Sequence, residues 1–146
     1  MPAICTMSGS STQRGRRAHE RWAWRCARWA SPSVLWYSSP TFRARETIEL
    51  AGLPSPTLVP QLAEGAHGMA SSAEESHAAW LREAVDRFPP IGSNTLVVTH
   101  TPNIVGAFGP RVANIQGNEM LVFVPESGRR ARLLGRITVE LPAASP

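Results

Sequence analysis

A chain of 146 residues with 42% apolar side chains is long enough for one compact domain. No apolar run reaches the length of a membrane-spanning helix. Two well-separated cysteines, Cys5 and Cys26, with no C-x-x-C pair, argue for neither a zinc site nor a disulfide scaffold. The formal charge of +4 comes from arginine without a single lysine: residues 1–37 hold six arginines against one acid, and residues 38–146 hold nine against ten. The body of the chain is therefore close to neutral, and the basic character belongs to its first quarter.

In chain order, residues 1–33 lack organisation. The opening Met1-Pro-Ala-Ile-Cys-Thr-Met-Ser8 has neither the charged start nor the apolar stretch of a secretory signal. Trp22, Trp24 and Trp29 alternate with arginines between Arg21 and Ala30, and no turn residues or caps frame them. Local preference and pattern disagree there, which predicts an unordered segment. From Val34 the pattern becomes coherent. Val34–Tyr37 reads as a short buried strand, ended by Ser38-Ser39-Pro40. Thr41 to about Ala51 reads as a helix stopped by Gly52. Residues 53–71 read as a loop rich in Pro, Gly and Ser.

Ser72-Ala-Glu-Glu75 fits a capping box. The helix behind it sets His77, Trp80, Leu81, Ala84, Val85 and Phe88 on one face, with Pro89-Pro90 as its stop. The run Leu96-Val97-Val98 then delivers His100 to the end of a buried strand, and Thr101-Pro102-Asn103 opens a short helix to Phe108. A polar residue where a strand ends and a helix begins lies at the usual binding edge of an α/β sheet. Free N–H groups at the helix start suit an anion there. The tail reads as a hairpin, with Met120–Val124 as one strand and Pro125–Gly128 as the turn. In its second strand Leu133, Gly135, Ile137 and Val139 alternate with polar neighbours and Leu134. Residues 142–146 read as a frayed tail.

Two of these segments carry a resemblance. Ser38-Ser39-Pro40-Thr41-Phe42-Arg43-Ala44-Arg45-Glu46-Thr47 resembles the S-S-P-x-x-R-A-x-x-T-A motif of the histidine phosphatase superfamily, the phosphoglycerate-mutase-like group. Val97-Val98-Thr99-His100 resembles that family's second histidine motif, in the family's order, and the likeness extends over roughly Val34–Leu141. It implies an α/β fold: a three-layer αβα sandwich with a largely parallel sheet and a C-terminal β-hairpin, occupying residues 34–141. It implies phosphomonoester hydrolysis through a phosphohistidine, a covalent route that splits one hard step into two. Arginines and a second histidine would hold the phosphoryl oxygens, and a carboxylic acid would protonate the leaving group. Residue by residue, Arg43 and His100 match the phosphate-binding positions. Arg45, two residues on, falls on another face of the helix and reads as a surface residue. Glu64 is the candidate general acid, in a loop able to cover the pocket, with Glu119 a weaker alternative. His67 and His77 read as non-catalytic, and Trp80 as core. No metal or cofactor is implied, because Arg and His do the work that metal ions do in other phosphatases. The expected partner is a small phosphorylated substrate or ligand, with no membrane.

The nucleophile motif, R-H-G or R-H-A on the first strand, is missing. The nearest string, Arg17-Ala18-His19, has an extra residue and no apolar strand before it, which makes His19 a poor nucleophile. The expectation is therefore a first strand absent or degenerate and an inactive chain. A reading-frame change before Val34 would account for it: Leu-Gly codons of GC-rich DNA, read one base late, yield Trp. One alternative is a pseudoenzyme that binds a phosphorylated ligand without turnover. Another, of a different class, is nucleic-acid binding by the Arg/Trp-rich arm, through phosphate contacts and base stacking. That reading explains composition but no ordered motif and ranks last.

Overall fold

The computed structural model describes residues 2–6, 34–50, 53–64, 71–115 and 119–138. The Arg/Trp-rich segment, His19, His67 and the tail 142–146 lie outside the described residues. The elements are β1 (Pro2–Thr6), β2 (Val34–Ser38), α1 (Phe42–Leu50), β3 (Thr57–Leu58), a 3-10 turn (Pro60–Leu62), α2 (Ser71–Asp86), β4 (Asn94–Thr99), α3 (Thr101–Phe108), a second 3-10 turn (Gly109–Val112), β5 (Glu119–Glu126) and β6 (Arg129–Thr138).

All six strands form one sheet in the order β3-β2-β4-β1-β5-β6. β3, β2, β4 and β1 run parallel, and β5 and β6 form an antiparallel hairpin added beside β1. The alternation of side chains along a strand divides the core into two faces. Val97, Leu121 and Phe123 point to one face and are covered by α2 and α3 through Leu81, Val85, Ile104 and Ala107. Leu96, Val98, Met120 and Val122 point to the other and are covered by α1 through Ala44 and Ile48. Helices on both faces of a mainly parallel sheet make the expected αβα sandwich.

The first strand departs from expectation. It was expected absent or degenerate, yet Pro2–Thr6 pairs with β4 on one side and β5 on the other, in the middle of the sheet. The folded unit therefore includes residues ahead of Val34. Five residues without strong alternation carry little strand signal of their own, and the two neighbouring strands supply what the sequence does not announce. After β1 the sequence continues Met7-Ser8-Gly9-Ser10, which contains neither Arg nor His.

Three smaller differences have local causes. The loop 53–71 contains β3 and a 3-10 turn. Pro56 and Pro60 flank β3, which limits it to two residues at the sheet edge. α2 starts at Ser71, so Ser72 lies in its first turn rather than capping it, and Glu74 still meets the macrodipole preference for an acid there. Phe88 is 59% exposed. The helix has ended at Asp86, and a residue before proline leaves helical geometry, so the helical spacing no longer applies to it. The buried positions of the helix itself are Ala78, Leu81 and Val85. Trp80 is half-buried and stacks edge-on against Tyr37 of β2 at 5.5 Å.

Candidate phosphoryl site

The parallel strands end along one edge, and the residues that follow β2 and β4 meet there. Both strands close in polar residues: Ser38 and Ser39 after the apolar part of β2, Thr99 and His100 after β4. β5 begins at Glu119 on the same edge, because it runs antiparallel to β1. This is where ligands of open α/β sheets bind.

His100 is the hub. It is 1% exposed and stands as the N-cap of α3 in extended backbone, with Pro102 in the first turn. Its Nε2 lies 3.0 Å from Ser39 Oγ and 3.1 Å from Thr41 Oγ1. The Ser39 hydroxyl donates to Thr41 Oγ1 at 3.1 Å, and the Thr41 N–H donates to Ser39 Oγ at 3.3 Å. The turn from β2 into α1 thus wraps the Nε2 side of the ring and leaves Nδ1 for the other side. There Glu64 Oε2 approaches Nδ1 at 3.9 Å. Arg43, in the first turn of α1, reaches the same carboxylate oxygen with Nη2 at 2.5 Å. Burial pushes the His100 imidazole below its ordinary pKa; Glu64 opposes the shift and Arg43 adds to it. Near neutral pH the ring is therefore uncharged, and its proton and lone pair are both available for hydrogen bonding.

The loop bearing Glu64 is fixed from behind. Asn103, buried in the first turn of α3, donates through Nδ2 to the carbonyls of Leu62 at 3.0 Å and Ala63 at 2.9 Å. The same amide lies 3.1 Å from Thr99 Oγ1, whose hydroxyl donates to the Leu62 carbonyl at 3.1 Å. Three acceptors around one atom identify it as the amide nitrogen rather than the oxygen. Leu62 itself is fully buried in the core. The backbone immediately before Glu64 is thereby tied to the strand and helix that carry His100.

The structure brings Arg43, Glu64 and His100 together. It leaves Arg45 exposed, and Glu119 buried at the first residue of β5, 3.8 Å from Arg136. The sequence gives Ser39, Thr41, Thr99 and Asn103 no role at the site itself. The first two lie inside the S-S-P-x-x-R motif and the last two flank His100, but only the folded backbone shows which of them touch the ring and which hold the loop. Among the described residues no group of three His, Cys, Asp or Glu side chains is placed to hold a metal ion, and no helix is long and apolar enough to cross a membrane.

No family model and no curated protein sequence matches this chain. Solved structures do. The chain is similar to that of the open reading frame Rv3214 from Mycobacterium tuberculosis, with a TM-score of 0.72 at 15% identity, covering 92% of this chain and 95% of that one. It is similar to an Entamoeba histolytica phosphoserine phosphatase variant in complex with phosphoserine, with a TM-score of 0.70 at 14% identity, covering 98% and 100%. It is similar to the protein histidine phosphatase SixA complexed with tungstate, with a TM-score of 0.61 at 16% identity, covering 94% and 96%. The fold is thus the phosphoglycerate-mutase-like one, shared over nearly the whole length of each chain.

Proposed function

We propose that this chain is a protein of the histidine phosphatase superfamily that binds a phosphoryl group at Arg43 and His100 and does not turn it over. The observation that carries the reading is the convergence of Arg43, Glu64 and His100 at the carboxyl edge of the sheet, around one carboxylate oxygen. Arg43 presents a planar fork to two phosphoryl oxygens. The buried imidazole of His100, held on its Nε2 side by Ser39 and Thr41, offers Nδ1 to a third. Glu64 stands where a carboxylic acid could pass a proton to a leaving oxygen. What the covalent route also needs is a nucleophilic histidine after the first strand, and the sequence there, Met7-Ser8-Gly9, has none.

Solved structures of this fold that hold phosphoserine and tungstate support a phosphorylated small molecule as the ligand class. The test pairs binding with turnover. Inorganic phosphate or tungstate, titrated into the full chain by calorimetry, should bind, and Arg43→Ala or His100→Ala should weaken binding about ten-fold or more, the loss of one charge-assisted or buried hydrogen bond. p-Nitrophenyl phosphate should not be hydrolysed above the buffer rate. Equal binding by wild type and both variants removes the pocket. Hydrolysis abolished by His100→Ala would show an active phosphatase whose nucleophile lies elsewhere in the chain.

A further inference from the structure

Glu64 already has the two neighbours that a phosphoryl oxygen would have. A single oxygen, Oε2, sits 2.5 Å from Arg43 Nη2 and 3.9 Å from His100 Nδ1. We infer that in the ligand-free protein the Glu64 carboxylate occupies the anion seat, and that it sets the seat's selectivity by competing with incoming oxyanions. This deepens the phosphoryl-binding reading above and rests on it.

The competition is confined to one side chain. The Leu62 and Ala63 carbonyls are held by Asn103 and Thr99, so the backbone leading to Glu64 is anchored. Exchange therefore proceeds by rotation of the Glu64 side chain. That side chain is 43% exposed and has solvent to turn into. While Glu64 is seated, Arg43 is neutralised and buried His100 is uncharged, so the cluster presents little net positive charge to a distant anion. A ligand carboxylate offers the seat only what Glu64 already offers. A tetrahedral phosphoryl group offers more: two oxygens for the Arg43 fork, another for His100 and a higher charge. The seat therefore selects phosphoryl-like oxyanions over carboxylates.

The test titrates inorganic phosphate and acetate into wild type, Glu64→Gln, Glu64→Asp and Arg43→Ala at one pH and ionic strength. The Arg43–Glu64 pair is nearly half exposed at both ends, so its removal should tighten phosphate binding by about two- to five-fold. Glu64→Asp separates seat occupancy from background charge. It keeps the negative charge on an anchored backbone but is shorter by one carbon–carbon bond, about 1.5 Å. It should tighten phosphate binding nearly as much as Glu64→Gln. Acetate should gain measurable binding only in these two variants. Unchanged or weaker phosphate binding in Glu64→Gln, with Arg43→Ala still impaired, overturns the inference and leaves the pocket standing. Tightening by Glu64→Gln with Glu64→Asp at wild-type affinity also overturns it, by assigning the effect to charge alone. An Arg43→Ala variant that binds phosphate as well as wild type removes the pocket and this inference together.

Discussion

His100 has two different sides: hydroxyls of Ser39 and Thr41 against Nε2, and the charges of Glu64 and Arg43 beyond Nδ1. Its burial gives the folded protein a pH dependence whose sign can be worked out. The unfolded chain takes up a proton on this ring near 6.5, whereas the folded ring, with its pKa lowered, takes it up only at more acid pH. Between those two values the unfolded state binds the extra proton, so stability falls as pH drops below about 6.5 and is unaffected above it. Urea unfolding at pH 5.5 and 7.5 should therefore show a smaller loss on acidification for His100→Asn than for wild type. Equal losses would mean that the ring protonates as readily in the fold as out of it. At this scale the sequence was informative about identity and silent about partners. His100 was legible because an apolar run delivers a polar ring to a strand end, and Arg43 because a motif surrounds it. Ser39 and Thr41 sit 61 and 59 residues from His100, and nothing local records that separation being closed.

Between elements, the Asn103 amide joins α3, the end of β4 and the 3-10 turn before Glu64. Asn103→Ala removes the donor from two main-chain carbonyls and should cost about 1–3 kcal/mol in chemical denaturation. Asn103→Asp is the sharper test. It keeps the shape but turns acceptor oxygens toward the oxygens of Leu62, Ala63 and Thr99, so it should cost at least as much as alanine. An aspartate variant as stable as wild type would mean the amide contributes packing and no hydrogen bonding. The elements themselves were largely readable because their periods differ. Leu96-Val97-Val98 is buried on both faces, as a central strand of a covered sheet should be. From Ala131 to Ile137 β6 alternates between half-buried and exposed positions, but its inward side changes face where the register passes over Leu134: Ala131 and Leu133 pack with Phe123, and Ile137 packs with Met120 and Val122 on the other face. β3 was not readable, since two residues between prolines have no period. Pro125, a turn residue by its type, lies inside β5, where the register shifts between Val124 and Glu126 and a missing N–H is tolerated.

Across the whole molecule, the sheet depends on the strand the sequence marks least. β5 pairs with β1 and β6 only, so the hairpin joins the other strands through β1. β1 has a partner on each side, and Ile4 pairs with Val97 and with Leu121. Whichever neighbour the Ile4 N–H faces, a proline there breaks a ladder bond in the sheet interior, where no water replaces it. Ile4→Pro should therefore abolish the cooperative thermal transition or lower its midpoint by roughly 5–10 °C, the scale expected for a loss of about 2–3 kcal/mol in a domain of this size. Leu134→Pro is the matched control. Leu134 lies on the edge strand β6 and is passed over by the register, with Leu133 opposite Phe123 and Gly135 opposite Val122. It is also 52% exposed. Proline at a bulge on an edge should shift the midpoint far less. If the two variants melt alike, β1 does not hold the central place in the sheet.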